Sequence, residues 1–410
     1  MKIVMFTDAY WPRVNGVTVS VDSFSRELIK RGHKVVIVCS FYPESQAVER
    51  MSTPIMDKRD TEMDPIVIRV PSYQLPISKE DRLAKFHKWF WVSKQLNAFN
   101  PDIIHVNSEF VIGEFGFYYG MLYNIPSIYT FHTLWEDYII NYIPYAPEFM
   151  LRFIARRVIK KMAKRSDAVI APSQEILDVL KRYKVKNTSY LLPTGIDPLF
   201  FQSEPSDVVE FRQKLEIKFP ALKGRRILLF AGRIGKEKNL SFLLTIMPEI
   251  VKRVPDSILL IAGNGPDLNL FIEEAKEKGI AENCVFSGYL DRKDLALVYA
   301  MSEIFVFPSI TETQGLVTIE AMLSGTPVVA IGEMGTLTVM GGDNGGFMVK
   351  NDPKEFTMRV LELLENPKLY KEKVAETAIH AQSWTIGTMT ERLENIYIKT
   401  IEARNVGKKV

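Results

Sequence analysis

Cysteine is nearly absent from this chain: Cys39 and Cys284 are the only two in 410 residues. Each lies inside an apolar run (VVIVCS and NCVFSG), which excludes a disulfide framework and marks both as core thiols of a protein kept in a reducing compartment. Excess charge is missing as well. Lys plus Arg total 52 against 49 Asp plus Glu, a net +3, so there is no general field for a nucleic-acid partner. No apolar run approaches the ~18 residues of a spanning helix, and the opening MKIVMFTDAY lacks the basic region and long apolar stretch of a signal peptide. The expectation is a cytoplasmic protein, at most peripheral on the inner face of the cell membrane. GxGxxG, Walker A, HExxH, Asp-x-Asp and Cys/His clusters are all lacking. Those absences argue against a nicotinamide fingerprint, a P-loop nucleotidase and a resident metal, so no cofactor is expected.

What is present is alternation. Short β-branched runs recur at 2–6, 34–39, 66–70, 102–106, 127–131, 167–171 and 188–192, then at 226–231, 257–262, 283–287, 303–307, 327–330 and 346–349, separated by helical-period segments. That pattern is the signature of βαβ units and parallel sheets. The expected class is α/β with two Rossmann-like doubly wound domains facing a cleft, broken near PTGIDPLFF where Gly and Pro interrupt the pattern. The boundaries expected are 1–200, 201–384, and a terminal helix over 385–410 that packs back on the first domain.

In such sheets ligands bind beyond the carboxyl ends of strands, so chemistry is sought in the following loops. After 2–6 comes Asn15-Gly16 ahead of a helical run starting near Thr18. A glycine at that point lets backbone approach a ligand, and the helix N-terminus favours an anion. After 226–231 the chain reads FAGRIGKEKNL, which places Arg233 and Lys238 in one glycine-bearing loop. A guanidinium and an ammonium beside a helix start suit a diphosphate. In FPSITETQGLVTIEAM, Glu312 and Glu320 flank the backbone N–H groups of Gly315, Leu316 and Val317. Carboxylates there suit sugar hydroxyls, from which each oxygen accepts a charge-assisted bond. His132 directly follows a strand and is the best placed of five histidines.

One segment is locally extreme. RFIARRVIKKMAKR, from Arg152 to Arg165, holds seven basic residues in fourteen and no acid. At 100° per residue Leu151, Ile154, Ala155, Val158 and Met162 form an apolar stripe. Arg152, Arg156, Arg157, Lys160, Lys161 and Lys164 are then left to contact an anionic bilayer. Upstream, Phe86, Trp89, Phe90 and Trp91 sit among cations, also an interfacial composition.

Taken in order, the NGV loop, FHT, PTGID, AGRIGKEKN, IAGNGPD, FSGYL and the E-x7-E pair resemble glycosyltransferase family 4, retaining enzymes of the GT-B fold. The resemblance covers nearly the whole chain. Its subgroup wording (TETQGLVTIEAM, FHTLWEDY, the basic helix) is most similar to transferases that glycosylate diacylglycerol. It implies a UDP-sugar donor as co-substrate, with Arg233 and Lys238 on the diphosphate, Glu320 on the ribose, and Glu312 with the following backbone on the sugar. Gly16 would lie near the phosphates, His132 at the reaction centre, and Gly288, Tyr289 and Leu290 along the base. The implied reaction moves a hexose, glucose before others, to a lipid hydroxyl with retention and without metal. A soluble sugar or polyol acceptor, or a sugar-nucleotide epimerase, stands as the alternative. Asn15 departs from the commoner Gly-Gly pair, and Thr194 from the usual Asn of the PNGVD-like motif.

Overall fold

The short apolar runs become strands because their residues are buried on both faces of parallel sheets: Ile3, Val4, Met5 and Phe6 are at most 1% exposed. A computed structural model describes residues 1–13, 15–43, 55–56, 61–75, 78–132, 147–312 and 314–407. The chain divides into two units, one comprising Met1–Gly195 with Ile386–Val410 and the other Ile196–Thr385.

In the first unit the strands are β1 (Lys2–Thr7), β2 (Lys34–Ser40), β3 (Ile55–Met56), β4 (Ile66–Val70), β5 (Ser72–Leu75), β6 (Ser78–Ala84), β7 (Ile103–Val106), β8 (Ser127–Thr130), β9 (Ala168–Ala171) and β10 (Thr188–Leu191). Eight form one sheet in the order β10-β9-β8-β7-β1-β2-β4-β3, parallel except for β3 against β4. The strand order turns between β1 and β7, where Ile3 lies opposite Ile103. Such a switch point is where an open α/β sheet offers a ligand crevice. β5 and β6 make a separate antiparallel hairpin, and neither it nor β3 is foreseen by the sequence pattern. The terminal helix Ile386–Gly407 belongs to this unit. It buries Met389, Leu393 and Tyr397 completely, and Glu394 holds Arg31 at 3.0 Å and His33 at 2.6 Å.

In the second unit the strands are β11 (Arg226–Ala231), β12 (Ser257–Ala262), β13 (Cys284–Gly288), β14 (Ile304–Phe307), β15 (Val328–Ile331) and β16 (Gly346–Val349). They form one parallel sheet in the order β13-β12-β11-β14-β15-β16. Its switch point lies between β11 and β14. Cys39 in β2 and Cys284 in β13 are both buried and form no disulfide, as their apolar context requires.

Candidate active site

The second unit gathers charge at its switch point. Beyond β11 the loop carrying Arg233 and Lys238 runs through a short 3-10 turn, Lys236–Lys238, into the helix Leu240–Arg253. Its path depends on the neighbouring loop after β12. Gly232 N donates to Ala262 O and Ile234 N to Asn264 O, both at 3.0 Å. A Cβ on Gly263 would come within 1.9 Å of Gly232 O, and one on Gly265 within 2.0 Å of Ile234 O. The glycines of IAGNGPD therefore let two loops pack backbone to backbone. Asp267 completes the brace by accepting from Lys236 N at 3.0 Å.

Lys238 Nζ donates to Glu312 Oε1 at 2.5 Å, with both side chains about four-fifths buried. Ser309 Oγ adds a longer contact to the same oxygen, 3.3 Å. Arg233, 66% exposed, meets Glu237 at 3.1 Å. The two cations are thus partnered by carboxylates of their own unit, and an incoming polyanion would exchange with them. Gly315, at φ +66°, turns the chain into the helix Leu316–Leu323. A side chain at that position would strike the Thr336 backbone at 2.9 Å. Leu316 and Val317 open the helix, so their N–H groups lie in its first turn. On the same helix Glu320 accepts from Tyr299 Oη at 3.3 Å. Burial pushes its carboxyl up to about 7, against the opposing pull of Arg292 and the Tyr299 bond. Gly288 ends β13 at φ +77°, Tyr289 beyond it is 78% exposed, and Leu290 packs on the core.

The first unit's switch point is polar but carries little charge. His132 lies two residues past β8, and its Nε2 is 2.9 Å from Asn107 Oδ1 at the end of β7. Burial drives the His132 imidazole down to about 4, so it is neutral at physiological pH. His105 is driven to about 3 by burial and by His132; its ring nitrogens meet Tyr397 Oη at 2.7 Å and Thr130 Oγ1 at 2.6 Å. A cavity of about 10 Å³ beside these groups, lined also by Ser20 and Thr194, has room for a single water. Asp8, at the end of β1, takes the Ile112 N–H at 3.3 Å and so caps the helix Val111–Tyr123, which has no capping side chain of its own. Burial raises its carboxyl to about 6.

The helix behind Gly16 begins at Gly16 rather than near Thr18, because Asn15 Oδ1 caps it by accepting from Thr18 N at 2.8 Å. A Cβ on Gly16 would meet nothing within 4 Å. No internal packing therefore demands a glycine at that position. The rest of FHTLWEDY, Thr133 to Tyr138, lies outside the described residues, as does Thr313 of TETQG.

The basic segment forms the helix Glu148–Arg165; of the expected stripe Leu151, Ala155 and Met162 are buried and Val158 packs against the core, but the buried face is shifted toward Ile159 and Ala163. Leu151, Ala155, Ile159, Met162 and Ala163 are buried, while Ile154 is 42% exposed. Apolar residues occur on both sides of this helix, so periodicity alone does not select which stripe the core takes. Arg152 is half-buried and pairs with Glu148. Lys161 and Arg165 pair with Glu114, and Arg156 lies over the Tyr183 ring at 5.6 Å. Arg157, Lys160 and Lys164 are exposed, without an acidic partner among the described residues. Phe149 and Phe153 are exposed at the other end of the helix, at 78% and 60%. The upstream aromatics split: Trp89 packs on Phe115 and Tyr118 and Trp91 against the core, whereas Phe86 and Phe90 point outward at 71% and 83% exposure.

Two parallel-sheet units, a charged strand-end loop in the second and a histidine at the strand ends of the first define a class. Residues 14–199 match the family model described as Glycosyltransferase Family 4, and residues 211–380 match Glycosyl transferases group 1. The chain belongs to glycosyltransferase family 4. An alpha-monoglucosyldiacylglycerol synthase of Streptococcus pneumoniae is 31% identical over 415 residues, covering 100% of this chain and 88% of its own length. A protein of the same description from Acholeplasma laidlawii is 27% identical, covering 99% and 98%. Among solved structures, Anabaena HepE in complex with UDP aligns with a TM-score of 0.74 at 16% identity, over 97% of this chain and all of that one. The fold is GT-B and the activity is glycosyl transfer.

Proposed function

We propose that the chain transfers a hexose, glucose in the first instance, from a UDP-sugar to the hydroxyl of diacylglycerol, with retention of anomeric configuration. The observation that carries this reading is the Lys238–Glu312 pair at the β11/β14 switch point, joined to a 31% identical relative named for glucosyl transfer to diacylglycerol.

In this mechanism the donor diphosphate takes Lys238 from Glu312 and Arg233 from Glu237. The two cations, with the N–H groups of Leu316 and Val317, then absorb the charge that develops as the diphosphate leaves. Glu312, released, accepts from sugar hydroxyls, as does neutral His132. Glu320 holds the ribose, Tyr289 and Leu290 flank the base beyond Gly288, and Gly16 lies against the phosphates. A diphosphate oxygen takes the acceptor proton on the same face of the sugar. No metal is invoked, since the cations supply the neutralisation, and turnover is expected to persist in EDTA.

Docking of the first unit on anionic bilayer, through Arg157, Lys160 and Lys164 beside the exposed Phe149 and Phe153, would bring the enzyme to its lipid. Among the described residues no helix is long and apolar enough to cross a membrane. The deciding experiment supplies radiolabelled UDP-glucose, UDP-galactose and GDP-mannose with diacylglycerol in anionic liposomes, with glycerol, or with no acceptor. Label entering lipid in the α configuration from UDP-glucose is the expected result. Label entering glycerol alone would move the acceptor to a soluble polyol, and a new nucleotide sugar formed without acceptor would make the enzyme an epimerase.

A further inference from the structure

Asn107 was not singled out in the sequence, yet it is the described side chain bonded to His132. It sits at the end of β7, 5% exposed, and its backbone N donates to Phe6 O of β1 at 2.7 Å. The neighbouring residues hold the same rim, with Ser108 Oγ accepting from Asp8 N at 3.0 Å. Asn107 is therefore fixed on rigid elements rather than on a free loop.

The two ends of its amide face different partners. Nδ2 lies 3.4 Å from the His105 carbonyl, which can only accept, and Oδ1 lies 2.9 Å from His132 Nε2. Turning the amide over would set two acceptor oxygens against each other in a buried place. Oδ1 facing Nε2 requires that Nε2 carry the ring proton. His132 bears one proton in its neutral form, so Nδ1 holds a lone pair, and no described residue bonds it.

We propose that Asn107 is a positioning residue that locks His132 in the Nε2–H tautomer and thereby presents Nδ1 as an acceptor, so that the donor-sugar group His132 reads is a hydroxyl. The proposal rests on the reading of His132 as the residue that faces the donor sugar. Burial supports it, because an imidazole held near 4 does not gain a second proton at neutral pH. An imidazolium would present two donors and could not accept at all.

The test has a part that requires no turnover. In the ligand-free protein labelled with ¹⁵N-histidine, the five histidines are separable, and His132 is assigned by its loss in His132→Gln. The expected spectrum at pH 7 shows Nε2 protonated and Nδ1 bare; an Nδ1–H tautomer or an imidazolium overturns the proposal. The second part is Asn107→Leu, which removes the acceptor facing Nε2. Asn107→Leu should lower kcat about 10- to 100-fold with UDP affinity within about twofold of wild type. Donors lacking one sugar hydroxyl add a readout that a packing role would not move. The one whose absence slows the wild type most should cost Asn107→Leu little further. If Asn107→Leu turns over like wild type while His132→Ala is slow, the lock is wrong. If His132→Ala is itself unimpaired although the tautomer is as stated, the fault lies in the functional reading of His132.

Discussion

The two units are built alike, but they use opposite electrostatics at their switch points. At β11/β14 the second unit sets formal charges out in pairs, Lys238 with Glu312 and Arg233 with Glu237. At β1/β7 the first unit holds groups that burial keeps from charging or drives toward neutrality: His132 near 4, His105 near 3 and Asp8 raised to about 6. A paired-charge rim exchanges counter-ions when an anion arrives, whereas a neutral rim reads hydroxyls by the direction of each hydrogen bond. Elsewhere in the first unit, Arg157, Lys160 and Lys164 lie exposed on the helix Glu148–Arg165, with no acidic partner among the described residues.

The largest effect that would sharpen this contrast is at that helix. Replacing Arg157, Lys160 and Lys164 together by Ser removes three exposed cations that have no acidic partner among the described residues, each worth on the order of 1 kcal/mol at an anionic surface. Co-sedimentation with anionic liposomes at low salt should fall by about two orders of magnitude while UDP affinity stays as in wild type. Salt should erase the difference between the two proteins. Wild type that ignores such liposomes would leave the charge as a solvated face.

Next in size is Lys238→Ala. The pair is largely buried, so the substitution removes a charge-assisted bond and leaves Glu312 facing the diphosphate unpaired. Loss of about 1.5–3 kcal/mol is expected, roughly 10- to 150-fold in UDP affinity by calorimetry. Arg233→Ala should cost less, because that side chain is 66% exposed and its ion pair is screened. Equal losses in the two variants would mean that burial does not set the strength of this rim.

Glu320 is the one group of the charged rim that behaves like the neutral one, which makes its pH dependence a test of the contrast. Its folded value of about 7 lies above the ordinary 4.5, so the folded protein binds the extra proton. Its stabilising contribution is full below about pH 4.5 and is lost as pH rises through 7. Glu320→Gln should therefore flatten the decline in stability across that window, measured by urea unfolding against wild type at each pH. UDP affinity should run the other way in wild type. It should rise toward pH 7 and above as the carboxylate forms to accept from the ribose, and Glu320→Gln should bind about tenfold more weakly at pH 8 without that rise.

Much of this arrangement is legible in the sequence, for local reasons. Each expected strand run appears as a strand, the central ones because a two-faced buried strand must be continuously apolar, while the edge strand β10 is partly exposed and partly polar; strand ends locate the loops without tertiary information. Three features escape for the converse reason. β6 is polar (SKEDRLA), so no apolar alternation announces it. The phase of the basic helix depends on which stripe the neighbouring core accepts, not on the helix itself. Asn107 and His132 are 25 residues apart, and their contact exists only because β7 and β8 are neighbours in the sheet. Asn107 nevertheless carried a positional signal. It directly follows a strand at the switch point, the same criterion that selected His132.

The smallest expected change concerns Gly16, and it separates what the fold requires from what a ligand would require. Gly315 and Gly263 stand at positive φ with backbone pressed against them, so a side chain at either is a folding defect before it is anything else. Gly16 has open space around its would-be Cβ and occupies the first position of a helix capped by Asn15. Alanine there removes conformational freedom from the unfolded chain and obstructs no part of the protein, so Gly16→Ala should leave stability unchanged or raise it by up to about 1 kcal/mol. Turnover with UDP-glucose should nevertheless fall, because the added methyl lies where a phosphate would meet the helix N-terminus. A gain in urea midpoint together with reduced kcat/KM would place the demand for glycine on the ligand. Unimpaired turnover would free Gly16 from the donor site and leave diphosphate recognition to the second unit alone.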